Sequence, residues 1–143
     1  MRISTKGRYS LEALLYMAVL HGKAASTRTI GEATGISEGY LEQLFITLRK
    51  AGIVRGIRGP EGGYVPGRDL DQITIGDILR TMEGALEPVD CVSANDCPMS
   101  GDCISRGLWA ELSREVNYCV DSITLADLAK TYGVMEKSEY AFL

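Results

Sequence analysis

Apolar positions in the first third of the chain recur at helical spacing. Leu11, Leu14, Leu15, Ala18 and Val19 share one face of residues 8 to 21, which predicts an amphipathic helix that stops at Gly22. A short helix follows in "TIGEAT", then a tight "GIS" and a longer helix in "EGYLEQLFITLRKAG", opening behind Ser37 as N-cap and closing at Gly52. Two helices joined by a short Gly-containing turn form a helix-turn-helix. In the second of them Leu41, Leu44, Phe45 and Leu48 fall at i, i+3, i+4 and i+7 and are expected to bury, leaving Tyr40, Gln43, Thr47 and Lys50 on the other side. That polar, hydrogen-bonding face suits a recognition helix in a major groove. It also suits an ordinary solvated helix, so the next segment decides.

That segment, "GIVRGIRGPEGGYVPGRD", changes period from helix to strand. It predicts two short strands, Ile53 to Ile57 and Tyr64 to Val65, around a Gly/Pro-rich turn. Arg55, Arg58 and Arg68 make the hairpin cationic, with Glu61 its only acid before Asp69. A cationic wing beside a recognition helix lies where phosphates or a minor groove would be. "ITIGDILRTME" then predicts a helix capped by Thr74, with Ile75, Ile78, Leu79 and Met82 on one face. From about Ile104 the chain becomes helical again, and Leu108, Leu112, Val116, Cys119 and Ile123 form an apolar stripe long enough to pair with a copy of itself.

The fold class expected is therefore mainly α: a winged helix-turn-helix DNA-binding region over 1–83, a cysteine loop over 84–103, and a dimerisation helix with a tail over 104–143. A symmetric dimer would offer two recognition helices to a palindromic double-stranded operator.

Charge sharpens this division. The chain of 143 residues has a net charge of -4, which on its own argues against nucleic acid. Residues 1 to 68 carry ten Lys/Arg against five Asp/Glu, net +5, while residues 69 to 143 carry five against fourteen, net -9. The first part is suited to a polyanion and the second to another task. No apolar run approaches the ~20 residues needed to span a bilayer, and the N-terminus "MRISTKGRYS" lacks a secretory apolar stretch, so the expected compartment is the cytoplasm. Under its reducing conditions cysteines are more often metal-binding or redox-active than paired.

Cys91, Cys97 and Cys103 repeat at an interval of six within "VDCVSANDCPMSGDC". Structural zinc sites begin with tighter cysteine pairs, whereas iron-sulfur clusters accept wider loops and an unusual fourth ligand. Cys119 lies sixteen residues beyond Cys103, about 24 Å along a continuous helix, too far to close the same site in one subunit. Oxygen donors left open as the fourth ligand are Asp90, Asp96, Asp102, Ser105 and Glu12; the single histidine, His21, is expected to end the first helix.

"MRISTKGRYSLEALL", "GISEGYLEQLFITLRKAGIVRGIRGPEGGY", the three cysteines, "LWAELS" and "ITLADL" together resemble the Rrf2-type family of winged-helix transcription regulators, in particular its iron-sulfur cluster regulators. The resemblance spans nearly the whole chain. It implies a dimeric, cytoplasmic, non-enzymatic regulator holding a 2Fe-2S cluster on Cys91, Cys97 and Cys103, controlling cluster-assembly genes and choosing operators by cluster occupancy. Regulators of the same fold sense nitric oxide through a 4Fe-4S cluster, or sulfur status through a partner enzyme, and free thiols are a further alternative. The family carries a histidine three residues after the last cysteine; this chain has Arg106 there, whose guanidinium offers no lone pair to iron. An oxygen ligand in its place implies a labile cluster.

Expected major-groove contacts are Ser37, Tyr40, Glu42 and Gln43, with Arg58 reaching from the wing; Arg2, Lys6, Arg49 and Arg55 are expected on phosphates. The family resemblance gives Glu42 a further role, governing which operator class the cluster-free protein accepts. An enzyme is disfavoured by the lack of a nucleophile–base pair and of a phosphate-binding glycine loop before a helix.

Overall fold

In the computed structural model residues 1–89 and 104–135 are described. Among these residues six helices and one hairpin follow in order: α1 (Thr5–Val19), α2 (Thr27–Thr34), α3 (Glu38–Lys50), β1 (Val54–Ile57), β2 (Gly63–Pro66), α4 (Ile75–Glu83), α5 (Arg106–Asp121) and α6 (Leu125–Met135). A single 3-10 turn at Leu70–Gln72 joins the hairpin to α4.

Local chemistry sets most boundaries. Ser4, Ser26, Ser37 and Thr74 each accept a backbone N–H of the first turn of α1, α2, α3 and α4, satisfying donors that a helix start otherwise leaves orphaned. Thr74 and Asp77 complete a reciprocal capping box at 3.0 Å in both directions. The strands pair antiparallel, Arg55 opposite Val65 and Ile57 opposite Gly63. Tyr64 also exchanges two backbone hydrogen bonds with Ala25, of 3.0 and 2.8 Å, fastening the wing to the α1–α2 connection. Gly63 is required there: its φ is +146°, and a Cβ would sit 2.4 Å from the Ala25 carbonyl oxygen.

One apolar core unites the helices. Leu14, Met17, Ile30, Leu41, Phe45, Leu48, Ile53, Ile73, Ile78 and Leu125 are almost completely buried within it. Leu41, Leu44, Phe45 and Leu48 form the inner face of α3, as their spacing requires.

The C-terminal region departs from the single stripe expected over 108–123. Helix α5 ends at Asp121, and Ile123 lies between helices rather than on one. The break has a tertiary cause. Ile75 N–H donates to the Ile123 carbonyl and Leu125 N–H to the Ile73 carbonyl, both at 2.9 Å, so the starts of α4 and α6 pair antiparallel through Thr74 and Thr124. Thr124 and Asp127 then repeat the capping box, with hydrogen bonds of 3.0 and 3.1 Å. "ITIGD" and "ITLAD" are thus two copies of one device. Val116 and Ile123 lean on the core, whereas Leu108, Leu112 and Cys119 are exposed.

A polar clamp joins α4 to α5. Arg80 donates to both carboxylate oxygens of Asp121 at 2.8 Å and to Asn117 Oδ1 at 3.2 and 2.7 Å. That hydrogen bonding and charge hold the Asp121 carboxyl below its ordinary range and raise the Arg80 guanidinium above its own.

Candidate nucleic-acid interface

The outer side of α3 is a continuous exposed stripe of Gly39, Glu42, Gln43, Ile46, Thr47 and Lys50, successive members three or four residues apart in sequence or adjacent to one that is. Burial of the opposite face fixes which way this stripe turns. Glu42 and Gln43 lie in its N-terminal half, where recognition helices meet base edges.

Two of the expected base contacts have structural duties as well. Ser37 Oγ accepts the Tyr40 N–H at 3.3 Å as the α3 cap, and its own O–H is left to donate outward. Tyr40, expected on the open face, is half-buried: its ring packs edge to face on Tyr9 at 5.7 Å and 88°. Its contribution is thus partly to seat α3 on α1.

The wing stands against the C-terminal half of α3. Tyr64 packs on Phe45 with centroids 4.8 Å apart, and between wing and helix opens a depression of about 430 Å³ lined by Arg49, Gly56, Ile57, Arg58, Gly63 and Tyr64. Arg49, Arg55 and Arg58 are exposed and have no ion pair among the described residues. Arg68 differs from its wing neighbours: it approaches Asp77 at 3.9 Å and the Gln72 carbonyl at 3.4 Å, so it ties the wing's exit to α4. Arg2 and Lys6 are exposed at the start of α1. Ser4 beside them donates its backbone N–H, at 3.0 Å, and its hydroxyl to Glu83 at the end of α4.

Cys91, Cys97 and Cys103, with Asp90, Asp96 and Asp102, lie outside the described residues, whereas both stems of their segment are described. On one stem Asn117 Nδ2 donates to the Leu86 carbonyl at 2.9 Å, and the Met1 ammonium reaches the Pro88 carbonyl at 3.4 Å. The N-terminal arm bearing Arg2 therefore touches the chain just before the cysteines. On the other stem Trp109 Nε1 donates to Ser105 Oγ at 3.0 Å, and Arg106 is half-buried. Glu12 and His21 are exposed, His21 just past the α1 cap with φ +54°. Among the described residues no three His, Cys, Asp or Glu side chains gather into a metal site.

Sequence reasoning missed Ile46 as part of the reading stripe. Its signal was the i+3 step from Gln43 and i+4 step from Glu42.

Known proteins agree with this architecture. The family model for Rrf2, described as an iron-dependent transcriptional regulator, matches residues 3–131. The HTH-type transcriptional regulator CymR of Bacillus subtilis (strain 168) is 42% identical over 143 residues, covering 99% of each chain. The HTH-type transcriptional regulator IscR of Sodalis glossinidius is 37% identical over 137 residues, 95% of this chain and 83% of that one. Among solved structures, CymR, the global cysteine regulator of B. subtilis, superposes with a TM-score of 0.78 over 92% of this chain and 98% of its own at 42% identity. T. potens IscR does so with a TM-score of 0.70 over 100% of this chain and 92% of its own at 34% identity. No described helix is long and apolar enough to cross a membrane.

Proposed function

The chain belongs to the Rrf2 family of transcriptional regulators, and from that premise we propose that it is a homodimeric DNA-binding regulator whose cysteines carry a labile 2Fe-2S cluster. On this reading the cluster reports iron-sulfur status, controls cluster-assembly genes and selects between operator classes. The observation that carries the sensing part is the donor set itself, three thiolates at equal spacing on a segment whose stem meets the N-terminal arm at Pro88.

Glu42, Gln43, Ser37 and Arg58 read base edges or groove; Arg2, Lys6, Arg49 and Arg55 neutralise phosphate. Cys91, Cys97 and Cys103 hold the cluster, which supplies a redox-sensitive, loseable group. Arg106 cannot complete the ligand set, because a guanidinium has no lone pair to give. The exposed side of α5, with Leu108 at 55% and Leu112 at 38% exposure, is the dimer face, since apolar stripes of this kind are most often covered by a symmetric copy.

A second reading, regulation of cysteine supply, is favoured by the 42% identity to CymR over the whole chain. One experiment separates them. The protein purified without oxygen is examined by ultraviolet-visible absorption with iron and acid-labile sulfide assays, alongside Cys91→Ala. Structured bands with about two irons and two sulfides per subunit, lost in the variant, support the 2Fe-2S regulator. About four of each points to the nitric-oxide type of sensor. A colourless protein that still binds DNA rejects the cluster and favours the cysteine-regulator or thiol reading.

A further inference from the structure

Among the described residues the large hydrophobic side chains left exposed fall into few places: Met1 at the terminus, Ile104, Leu108, Leu112 and Tyr118 around α5, and Ile46 and Ile57 on α3 and the wing. Ile57 sits in β1, where a β-branched residue suits the backbone. Ile46 has no such explanation. It is 39% exposed on α3, where β-branching lowers helix propensity and an apolar surface gains nothing from water. The residues that bury α3 are all on its other face.

Its neighbours point to what covers it. Gln43 is one helical turn back on the same stripe, Glu42 is four residues back, and Thr47 and Lys50 continue the stripe. A glutamine in a major groove pairs with an adenine edge, and the apolar group that the groove presents is the thymine C5-methyl. Ile46 lies about 4.5 Å beyond Gln43 along the helix axis, one to two base-pair steps at about 3.4 Å each.

We propose that Ile46 reads a thymine methyl group one or two base pairs from the base met by Gln43, and is thus a specificity-determining residue of this chain. The inference rests on the DNA-reading function proposed above. It makes T-to-C and T-to-uracil changes at that position costly for different reasons, the second through the methyl alone.

The test uses the duplex recovered by the full-length protein from a random-sequence library. Each thymine in it is replaced singly by deoxyuridine, which removes the methyl and leaves every hydrogen-bonding atom. Wild-type protein is expected to lose affinity about four-fold at one position per half-site, the value of one buried methyl. Ile46→Ala is expected to bind the unmodified duplex more weakly by a similar factor and to be indifferent to deoxyuridine there, with Ile46→Val in between. An unchanged melting temperature in Ile46→Ala shows that the helix still folds. Wild-type protein that tolerates deoxyuridine everywhere, or Ile46→Ala that remains sensitive, overturns the proposal. A selection that enriches no sequence overturns the DNA reading itself, a distinct result.

Discussion

The reading region and the connecting region treat their charges differently. In α1–α3 and the wing, Arg2, Lys6, Arg8, Lys23, Arg49, Lys50, Arg55 and Arg58 have no ion pair among the described residues, and Arg28–Glu32 is an exposed helical pair. Beyond the wing, Arg80 is locked to Asp121 and Asn117 and Arg68 has been drawn to Asp77, whereas Arg114–Glu111 is an exposed helical pair and Arg106 and Lys130 have no ion pair among the described residues. On the proposed function, the contrast sets Arg80 and Arg68, which hold the fold, against Arg49, Arg55 and Arg58, which are free to meet a polyanion. A surface cation kept without a partner leaves its whole counterion-release energy for DNA.

The comparison is broken most severely at α5. Leu108→Glu with Leu112→Glu on its exposed face should leave the monomer folded, as judged by circular dichroism, while DNA affinity falls about 100-fold or more, because the second half-site is no longer tethered. Sedimentation would report monomers; a dimer that persists at micromolar concentration counts against this face.

Of comparable size is a contrast within α3. Phe45→Ala removes a fully buried ring that also supports Tyr64 and should cost about 3–5 kcal/mol of stability. Gln43→Ala, on the exposed stripe, should leave the denaturation midpoint within about 0.5 kcal/mol while relaxing preference at one base pair by about 1–3 kcal/mol. Equal effects of the two substitutions on stability would contradict the division of the helix into faces.

Smaller again is the difference between wing arginines. Arg55→Ala should weaken all sequences alike and lower the slope of log affinity against log salt by about 1, measured by titration in increasing salt. Arg68→Ala, whose partner is Asp77, should change that slope much less.

The Arg80 clamp gives the smallest effect. Its groups are about a third to half exposed, so Arg80→Ala should cost only about 1 kcal/mol. Because Asp121 titrates below its ordinary range in the fold, its stabilising contribution is fully present above the unfolded carboxylate value and is lost as pH falls through the lowered one. Denaturation followed from neutral to strongly acid pH should therefore show a gap between wild type and Arg80→Ala that closes in acid.

Much of the reading region was legible because its signals are local. Ser37 and Thr74 cap within three residues, and the buried face of α3 follows from spacing alone. What was not legible depended on distant partners. The end of α5 is set by Ile73 and Ile75 pairing with Leu125 and Ile123, so an apolar pattern running from Leu108 to Ile123 looked continuous. Tyr40 turned inward because Tyr9 was there to meet it, and Arg68, still exposed, turns toward Asp77. The repeated "ITIGD" and "ITLAD" carried the hidden signal for α6.

On the proposed function, the acidic, cysteine-bearing half decides which DNA the basic half reads. The most direct measurement is a pair of in vitro selections from one random-sequence library, using anaerobically prepared wild-type protein and Cys91→Ala. Two distinct enriched motifs are expected, with that of the variant also bound by wild-type protein after its iron is removed. One and the same motif with equal affinity in both selections would contradict it.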